Sequence, residues 1–411
     1  MAMYRVTIGD RWKCVTVQAK SAKIITNDSI GFRPTDSAIM AARMARFFAR
    51  DYGECAVLFD PVSSISSDRS FRFARVNLMS NSVESKSMYS AFSLNTPSSA
   101  PFYSRRPTRT VRIRNLFDAE PSLISDGDVL VSGGFFLLDP AEDDGSLTAL
   151  GDPFGWIVAD YSTISFATVA RPVIMILESG RIFHSRVAAD DFLYGSDEVW
   201  YKPFSVKYRL DLQLSKITDF DAKFTDFILL NGYIGAVVPG GGAEIPINGV
   251  VLRFLNSELP EGWESGLRIE AKLKMLDESV RFAVQCGPTL LLNGESVLSE
   301  SCFIDDKFFN AGGSPALFPI RLDRGYAVGC SRPKAAFAIT HDGDLVWRAL
   351  FPHPGQSISL FDVTADLLAL GNIASAIALD GGGTVRVDAG GIRIAGDPDD
   401  LRGLPYFIAL K

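Results

Sequence analysis

The sequence predicts an α+β fold with a mixed or antiparallel β-sheet core, few flanking helices and a small N-terminal α/β elaboration. Many short segments alternate apolar and polar residues, as half-buried strands do. Turn signals recur every few residues between these segments, and helical spacing is confined to two places. With 411 residues, of which 47% are hydrophobic, the chain can bury a substantial core in one large domain or two.

Residues 1–69 form the predicted N-terminal unit. Its segments YRVTI and CVTVQA alternate as strands do. Residues 38–50 carry an apolar stripe at helical spacing and follow a group of possible N-cap side chains. This pattern predicts a helix on a short sheet, and we assign the unit no function.

Residues 70–411 form the predicted main domain, which consists largely of strands. Asn293-Gly294 and His341-Asp342-Gly343 predict hairpin turns between such strands. A helix is predicted over residues 357–371, with a capping-box-like start at Ser359 and Asp362 and a C-cap at Gly371. The strand Ala374–Leu379 follows it.

Composition excludes several classes of function. The formal net charge is −7, and no block of Lys and Arg or basic-aromatic stripe indicates a nucleic-acid partner. No window approaches the roughly 18 apolar residues of a membrane span. The first residues do not resemble a signal peptide, so we expect a cytoplasmic protein, or an extracytoplasmic one if a leader was removed.

Cysteine and histidine usage predicts no metal site. The five cysteines are widely spaced without a CxxC motif, and there are three histidines. We also expect Cys286 to be a small packed residue rather than a nucleophile, since no histidine neighbours it in sequence. The residues assign no cofactor and no oligomeric state.

The stretch AIALDGGGTVRV places Asp380 at the end of a buried strand, before three glycines and Thr384. Glycines allow a ligand or another backbone to come close, and successive N–H groups can bind an anion. Alternatively, the aspartate bonds its own backbone N–H groups in a tight turn. DGGGT also resembles the phosphate loop of actin-like ATPases, but the repeated α/β halves of that fold are missing here.

Six segments, taken in order, carry a more specific resemblance. They resemble the phosphodiester glycosidase family and its bacterial members over about residues 70–400, and IPING at residues 245–249 resembles a bacterial insert. The segments are Ser132-Gly133-Gly134-Phe135-Phe136, Pro153-Phe154-Gly155, Gly287-Pro288-Thr289-Leu290, Gly325-Tyr326-Ala327-Val328-Gly329, Gln356-Ser357-Ile358-Ser359-Leu360 and Leu379-Asp380-Gly381-Gly382-Gly383-Thr384.

The resemblance implies a hydrolase that cleaves a sugar-1-phosphodiester, or a related glycosidic bond, at the anomeric carbon. The implied partner is a carbohydrate or sugar-phosphate substrate, and the implied catalytic residues are Asp380 and Arg324. Asp160 and Glu295 are second-carboxylate candidates, for which a solvated loop position is the favoured alternative. The implied substrate-binding residues are Ser132, Gly133, Gly134, Phe136, Gly287, Gly381, Gly382, Gly383 and Thr384.

Two positions depart from the family pattern. Ser132 stands where the family has asparagine, and Gly325 stands where it has arginine. Arg324 lies one place earlier and would need a bulge to face the site, and Arg321 is a second candidate. Two alternatives therefore stay open: a noncatalytic carbohydrate-binding or structural module, and a glycosidase acting on a neutral glycan linkage.

Other conspicuous residues have plainer interpretations. We expect Arg386 and Asp388 to form a cross-strand surface pair. Trp156, Trp263 and Trp347 could stack on sugar rings, but we expect them to pack in the core or against loops.

Overall fold

The structure is a computed structural model. It describes residues 2–26, 56–59, 72–77, 82–86, 129–136, 153–196, 198–209, 217–299, 329–390, 392–396, 404 and 406–411. The predicted helix over residues 38–50 lies outside these residues, as do Arg321, Arg324 and Gly325.

Strands dominate the described residues. They are β1 Met3–Ile8, β2 Trp12–Ala19, β3 Ala22–Thr26, β4 Ala56–Phe59, β5 Arg72–Asn77, β6 Ser82–Lys86, β7 Val129–Ser132, β8 Ile157–Ala159, β9 Ser162–Ser165, β10 Arg171–Leu177, β11 Ile182–Val187, β12 Phe192–Ser196, β13 Val199–Tyr201, β14 Ser205–Lys207, β15 Phe220–Leu230, β16 Tyr233–Gly241, β17 Val250–Leu255, β18 Glu270–Leu273, β19 Val280–Gln285, β20 Thr289–Leu292, β21 Glu295–Ser296, β22 Lys334–Thr340, β23 Leu345–Pro352, β24 Ile373–Ala378, β25 Val387–Ala389, β26 Ile392–Ala395 and β27 Tyr406–Leu410.

The strands form six sheets. The largest has seven strands in the order β1-β2-β23-β22-β24-β20-β21, and two have five strands, β11-β10-β19-β8-β9 and β26-β25-β7-β27-β3. The others are β14-β17-β15-β16, β13-β12-β18 and β4-β5-β6. Strands β1 to β3 complete sheets formed by much later parts of the chain, through β23 and β27. The predicted boundary near residue 69 falls between described segments and stays a prediction.

The predicted α+β class is wrong, because the protein is mostly β. Strands make up 56% of the described residues and helices 6%. Among the described residues there is one α-helix, α1 Leu360–Leu368, with two short 3-10 turns. The physical reason is that sheets, rather than helices, cover one another's apolar faces. Phe282 of β19 meets Phe337 of β22 with ring centroids 6.1 Å apart.

Helix α1 confirms the predicted capping box at its N-terminus, but it is shorter than the predicted helix over residues 357–371, and its C-cap is Ala369 rather than Gly371. The Ser359 hydroxyl accepts the Asp362 N–H, and the Asp362 carboxylate accepts the Ser359 N–H in return. Gly371 ends the segment with φ of +71°. Leu360 and Leu367 are fully buried as expected, whereas Leu370 lies past the helix end and is 40% exposed. None of the helices in the described part has the length and apolar character that a membrane crossing requires.

The two predicted hairpin turns are confirmed. Asn293 and Gly294 connect β20 to β21 with φ values of +52° and +79°, as a type I′ turn requires. Gly343, with φ of +82°, lies in the turn between β22 and β23.

A buried ion pair joins β15 to β17. Asp226 is fully buried and receives two hydrogen bonds from Arg253, at 2.7 and 2.8 Å. The Thr218 hydroxyl donates to the same carboxylate. Arg253 also bonds the Asp219 carbonyl at 2.6 Å. Both charged groups of the pair therefore have hydrogen-bond partners, and the pair connects the middle of β15 to β17.

Replacing Arg253 by methionine should lower the free energy of unfolding by about 3–5 kcal/mol, because a buried carboxylate loses its counter-ion. Chemical denaturation measures this. The matched control is Arg181→Met, which breaks an exposed pair with Glu278 and should change stability little. An Arg253 loss no larger than that of the control would contradict the structural role given to the pair.

His184 on β11 should make stability depend on pH. Burial lowers the pKa of its imidazole to about 4, against about 6.5 in an unfolded chain. The unfolded state therefore takes up the proton first, so stability present above pH 6.5 is lost as pH falls towards 4. We expect a loss of about 1–3 kcal/mol over this window. Thermal denaturation of His184→Gln should show a flatter profile; an identical profile would contradict this.

Candidate functional site

Asp380 lies at the end of a strand in the middle of the seven-stranded sheet. It follows β24, which runs between β22 and β20. Leu379 before it is fully buried and bonds Ala335 of β22 at 2.9 Å. On the other side, the Gly287 N–H bonds the Ala378 carbonyl at 2.9 Å. The Asp380 side chain is half-buried, so the sheet presents a carboxylate at the C-terminal end of one of its inner strands.

The glycine turn holds the Asp380 carboxylate in place. The Gly381 N–H donates to Oδ1 at 2.8 Å, and the Thr384 hydroxyl lies 3.0 Å from Oδ2. That hydroxyl also lies 2.8 Å from the Gly381 carbonyl. The Gly382 N–H bonds the Pro333 carbonyl at 2.8 Å, with φ of +75°. Two donors that the sequence analysis assigned to a ligand thus orient the aspartate instead.

A tyrosine explains the double glycine at positions 133 and 134. The Gly134 N–H donates to the Tyr406 hydroxyl at 2.5 Å. A Cβ on Gly133 would lie 2.2 Å from the Tyr406 ring, and one on Gly134 would lie 3.3 Å from the Cys286 sulfur. Both positions therefore require glycine while Tyr406 occupies this place. Tyr406 could not be predicted from the sequence, because an apolar strand near the C-terminus gives no spacing signal for it.

Cys286 and Tyr406 line Gly133 and Gly134, and we call these four residues the glycine wall. In addition to burial, the Asp380 charge raises the pKa values of both Cys286 and Tyr406. Burial raises the pKa of the Cys286 thiol to about 12, and the Asp380 charge adds to the rise. The Tyr406 pKa is also raised, first by burial and then by Cys286, with Asp380 adding. Both groups are therefore neutral near pH 7. This agrees with the interpretation of Cys286 as a packed residue and not a nucleophile.

Ser132 and Phe136 are buried beside the wall. The Ser132 carbonyl accepts the Trp347 indole N–H at 3.2 Å. Its hydroxyl accepts the Arg386 N–H at 3.3 Å. Phe136 packs in an apolar cluster with Phe407. Trp347 is fully buried, as expected for a core tryptophan. The bond between Trp347 of β23 and Ser132 of β7 therefore joins the seven-stranded sheet to a five-stranded sheet next to Gly133.

The predicted surface pair of Arg386 and Asp388 is wrong, because both residues lie two apart on one chain segment and are buried. Their charged groups are 2.6 Å apart. The Arg386 guanidinium lies 5.5 Å from the Phe407 ring centroid. Burial raises the pKa of Asp388. The alternation of strand side chains explains why they share a face, but it does not show whether that face is covered.

Two cations that the sequence analysis missed lie beside the turn. Ala336 is paired with Ala378, so one more step of two residues places Lys334 opposite Asp380 on the same face. Lys334 is fully buried, and its ammonium donates to the Cys330 sulfur at 3.1 Å. Arg332 is exposed, and its Cδ lies 3.7 Å from where a Cβ on Gly382 would be. The run RPK could have signalled them once β22 was known to pair with β24.

The two further carboxylate candidates are exposed. Asp160 lies in the turn between β8 and β9, with φ of +47°. Glu295 follows Gly294, whose N–H bonds the Ala374 carbonyl at 2.8 Å. Ala374 precedes Asp380 by six residues, or about 20 Å of strand. Glu295 is therefore at the far end of β24. In the described part of the chain, no cluster of three or more His, Cys, Asp or Glu side chains could hold a metal ion.

Comparison with solved structures finds similar chains at low sequence identity, among them the three that follow. No protein-family model matches the chain, and no curated protein matches it. A hypothetical protein from Synechocystis is 14% identical at a TM-score of 0.41; the alignment covers 99% of this chain and 61% of that one. A candidate exported protein from Burkholderia pseudomallei K96243 is 16% identical at a TM-score of 0.43, with coverage of 100% and 96%.

The third similar structure is the catalytic domain of zebrafish N-acetylglucosamine-1-phosphodiester alpha-N-acetylglucosaminidase, auto-inhibited by its pro-peptide. It is 11% identical at a TM-score of 0.35, and the alignment covers 87% of this chain and 82% of that one. Similarities at these scores carry no argument about activity. Membership of the phosphodiester glycosidase family stays a prediction.

Tyr406→Phe should lower the free energy of unfolding by about 1–3 kcal/mol, because the buried Gly134 N–H loses its acceptor. Chemical denaturation against wild type measures this. Tyr4→Phe is the matched control, since Tyr4 is 47% exposed. Equal stability of the two variants would contradict the role of Tyr406 in holding the glycine wall.

Proposed function

We propose that this chain is a glycoside hydrolase that cleaves a sugar-1-phosphodiester at the anomeric carbon, with Asp380 as its catalytic carboxylate. The observation that carries the proposal is the geometry of the turn. A half-buried carboxylate accepts the Gly381 N–H on one oxygen and lies 3.0 Å from the Thr384 hydroxyl on the other, and Arg332 lies beside Gly382 of the same turn. A positioned anion next to a cation suits a substrate that develops positive charge at carbon and carries negative charge on phosphate.

A phosphodiester substrate needs only one catalytic carboxylate. Glycosidases of neutral sugars commonly use two carboxylates, one of which protonates the leaving alcohol. A phosphate monoester is a weak base and leaves with little protonation. Asp380 then has one task, to support the oxocarbenium-like centre or to activate water. The exposed positions of Asp160 and Glu295 favour this reading over a neutral glycan linkage.

The phosphate would lie over the glycine turn, with Arg332 as its counter-ion. An exposed guanidinium can form two parallel hydrogen bonds with phosphate oxygens. Gly382 and Gly383 have no side chains that would keep the phosphate away. Arg324 stays the candidate that the sequence resemblance implies, and it is tested in parallel.

Asp380→Asn should lower kcat/KM for the cleaved diester about 100-fold or more, since the amide can neither support a cation nor activate water. The assay uses purified full chain and a panel of sugar-1-phosphodiesters and aryl glycosides. Glu295→Gln is the matched carboxylate-to-amide control and should retain wild-type activity. Equal activity of Asp380→Asn and wild type would overturn the assignment.

Arg332→Met in the same assay should raise KM for the diester, while any cleavage of neutral aryl glycosides should not change. Arg324→Met tests the other arginine. Cleavage of aryl glycosides alone would replace the diester by a neutral linkage. No turnover of any substrate, together with binding in a glycan screen, would replace the hydrolase by a carbohydrate-binding module.

A further inference from the structure

Strand β1 is the outermost strand of the seven-stranded sheet, and it is exposed along its whole length. It pairs with β2, and no other described strand pairs with it. All six residues from Met3 to Ile8 are exposed. Ile8 is 77% exposed and Met3 is 68% exposed. Large apolar side chains on a sheet edge are a typical feature of surfaces that bind another strand.

One face of β1 continues the apolar core outward. Tyr4 lies opposite Val17, and Val6 lies opposite Val15. Both of these β2 valines are fully buried. Since directly opposed residues share a face of the sheet, Tyr4 and Val6 form an uncovered extension of a buried face. Ile8, opposite Lys13, lies on the same face of β1.

The backbone groups of the same residues point to the open edge. The Gly9 N–H bonds the Trp12 carbonyl at 3.0 Å, so Gly9 and Trp12 are a hydrogen-bonded pair of the ladder. Along an antiparallel ladder, hydrogen-bonded pairs alternate with pairs whose backbone groups point away from the partner strand. Tyr4, Val6 and Ile8 therefore direct their N–H and C=O groups away from β2. The register of β1 with β2 has no bulge and the strand has no proline, so nothing in it blocks a further strand.

We propose that β1 pairs with β1 of a second copy of this chain, antiparallel about a two-fold axis at Val6. A two-fold axis perpendicular to a sheet places one residue opposite itself. With Val6 at the axis, Tyr4 lies opposite Ile8 of the second copy. Arg5 lies opposite Thr7. An axis at Arg5 would oppose two arginines, which is unfavourable.

This pairing would provide partners for both the outward backbone groups and the exposed apolar side chains of β1. Each of the three pairs formed by Tyr4, Val6 and Ile8 would exchange two backbone hydrogen bonds. Their side chains would form aromatic–aliphatic and aliphatic pairs on one face. The two sheets would become continuous across the axis. This inference is independent of the proposed function, and its failure would leave the function untouched.

Sedimentation velocity over a dilution series of the full chain tests the proposal. Wild type should be a dimer in reversible equilibrium with monomer. Val6→Lys places two lysines opposite each other and should raise the dimer Kd at least about tenfold, with the melting temperature unchanged. The control is Ile392→Lys, a 67% exposed position on β26, which should leave the dimer intact. A monomeric wild type, or a dimer insensitive to Val6→Lys, overturns the proposal.

Cysteine cross-linking tests the register. In the full chain, Val6→Cys should form a disulfide-linked dimer under mild oxidation, because Cα atoms in such a pair are about 5.5 Å apart. Arg5→Cys should not, since the two copies of residue 5 are not opposed. Wild type under the same oxidant shows the contribution of native cysteines. Equal cross-linking of Val6→Cys and Arg5→Cys, or none by Val6→Cys, would overturn the register.

Discussion

The contact between Tyr406 and the Gly133-Gly134 pair is the constraint on which the candidate site depends. The tyrosine ring occupies the space that side chains at these two positions would need. Its hydroxyl takes the Gly134 N–H. Tyr406 begins β27, a strand between β7 and β3, so a five-stranded sheet is brought against Cys286 and the end of β24. The two glycines leave room for the Tyr406 ring, which lies against them where the two sheets meet.

The local features of the fold could be predicted because they depend on residues close together in the sequence. The Ser359–Asp362 cap and the Asn293-Gly294 turn each involve a few consecutive positions. The fold class could not be predicted in this way. Whether an apolar strand face is covered by a helix or by another sheet depends on long-range packing, such as that of Phe282 on Phe337.

The same distinction applies to the site. Asp380 was predictable as the end of a buried strand before glycines, and two of the contacts of its carboxylate, with Gly381 and Thr384, are made within four residues. Tyr406 lies 272 positions from Gly134, and Arg332 comes near the turn only because β22 pairs with β24. Arg386 and Asp388 show a further limit: we expected a pair across two strands at the surface, whereas the two residues pair within one chain segment and are buried.

A crystal structure of the full chain with a sugar 1-phosphate bound would test the central claim most directly. A sugar 1-phosphate contains both the anomeric carbon and the phosphate of the proposed substrate. We expect the phosphate over Gly381–Gly383, within hydrogen-bonding distance of Arg332, and the anomeric carbon facing the Asp380 carboxylate. A sugar 1-phosphate bound away from this turn, or a crystal without bound ligand at saturating concentration, would contradict it.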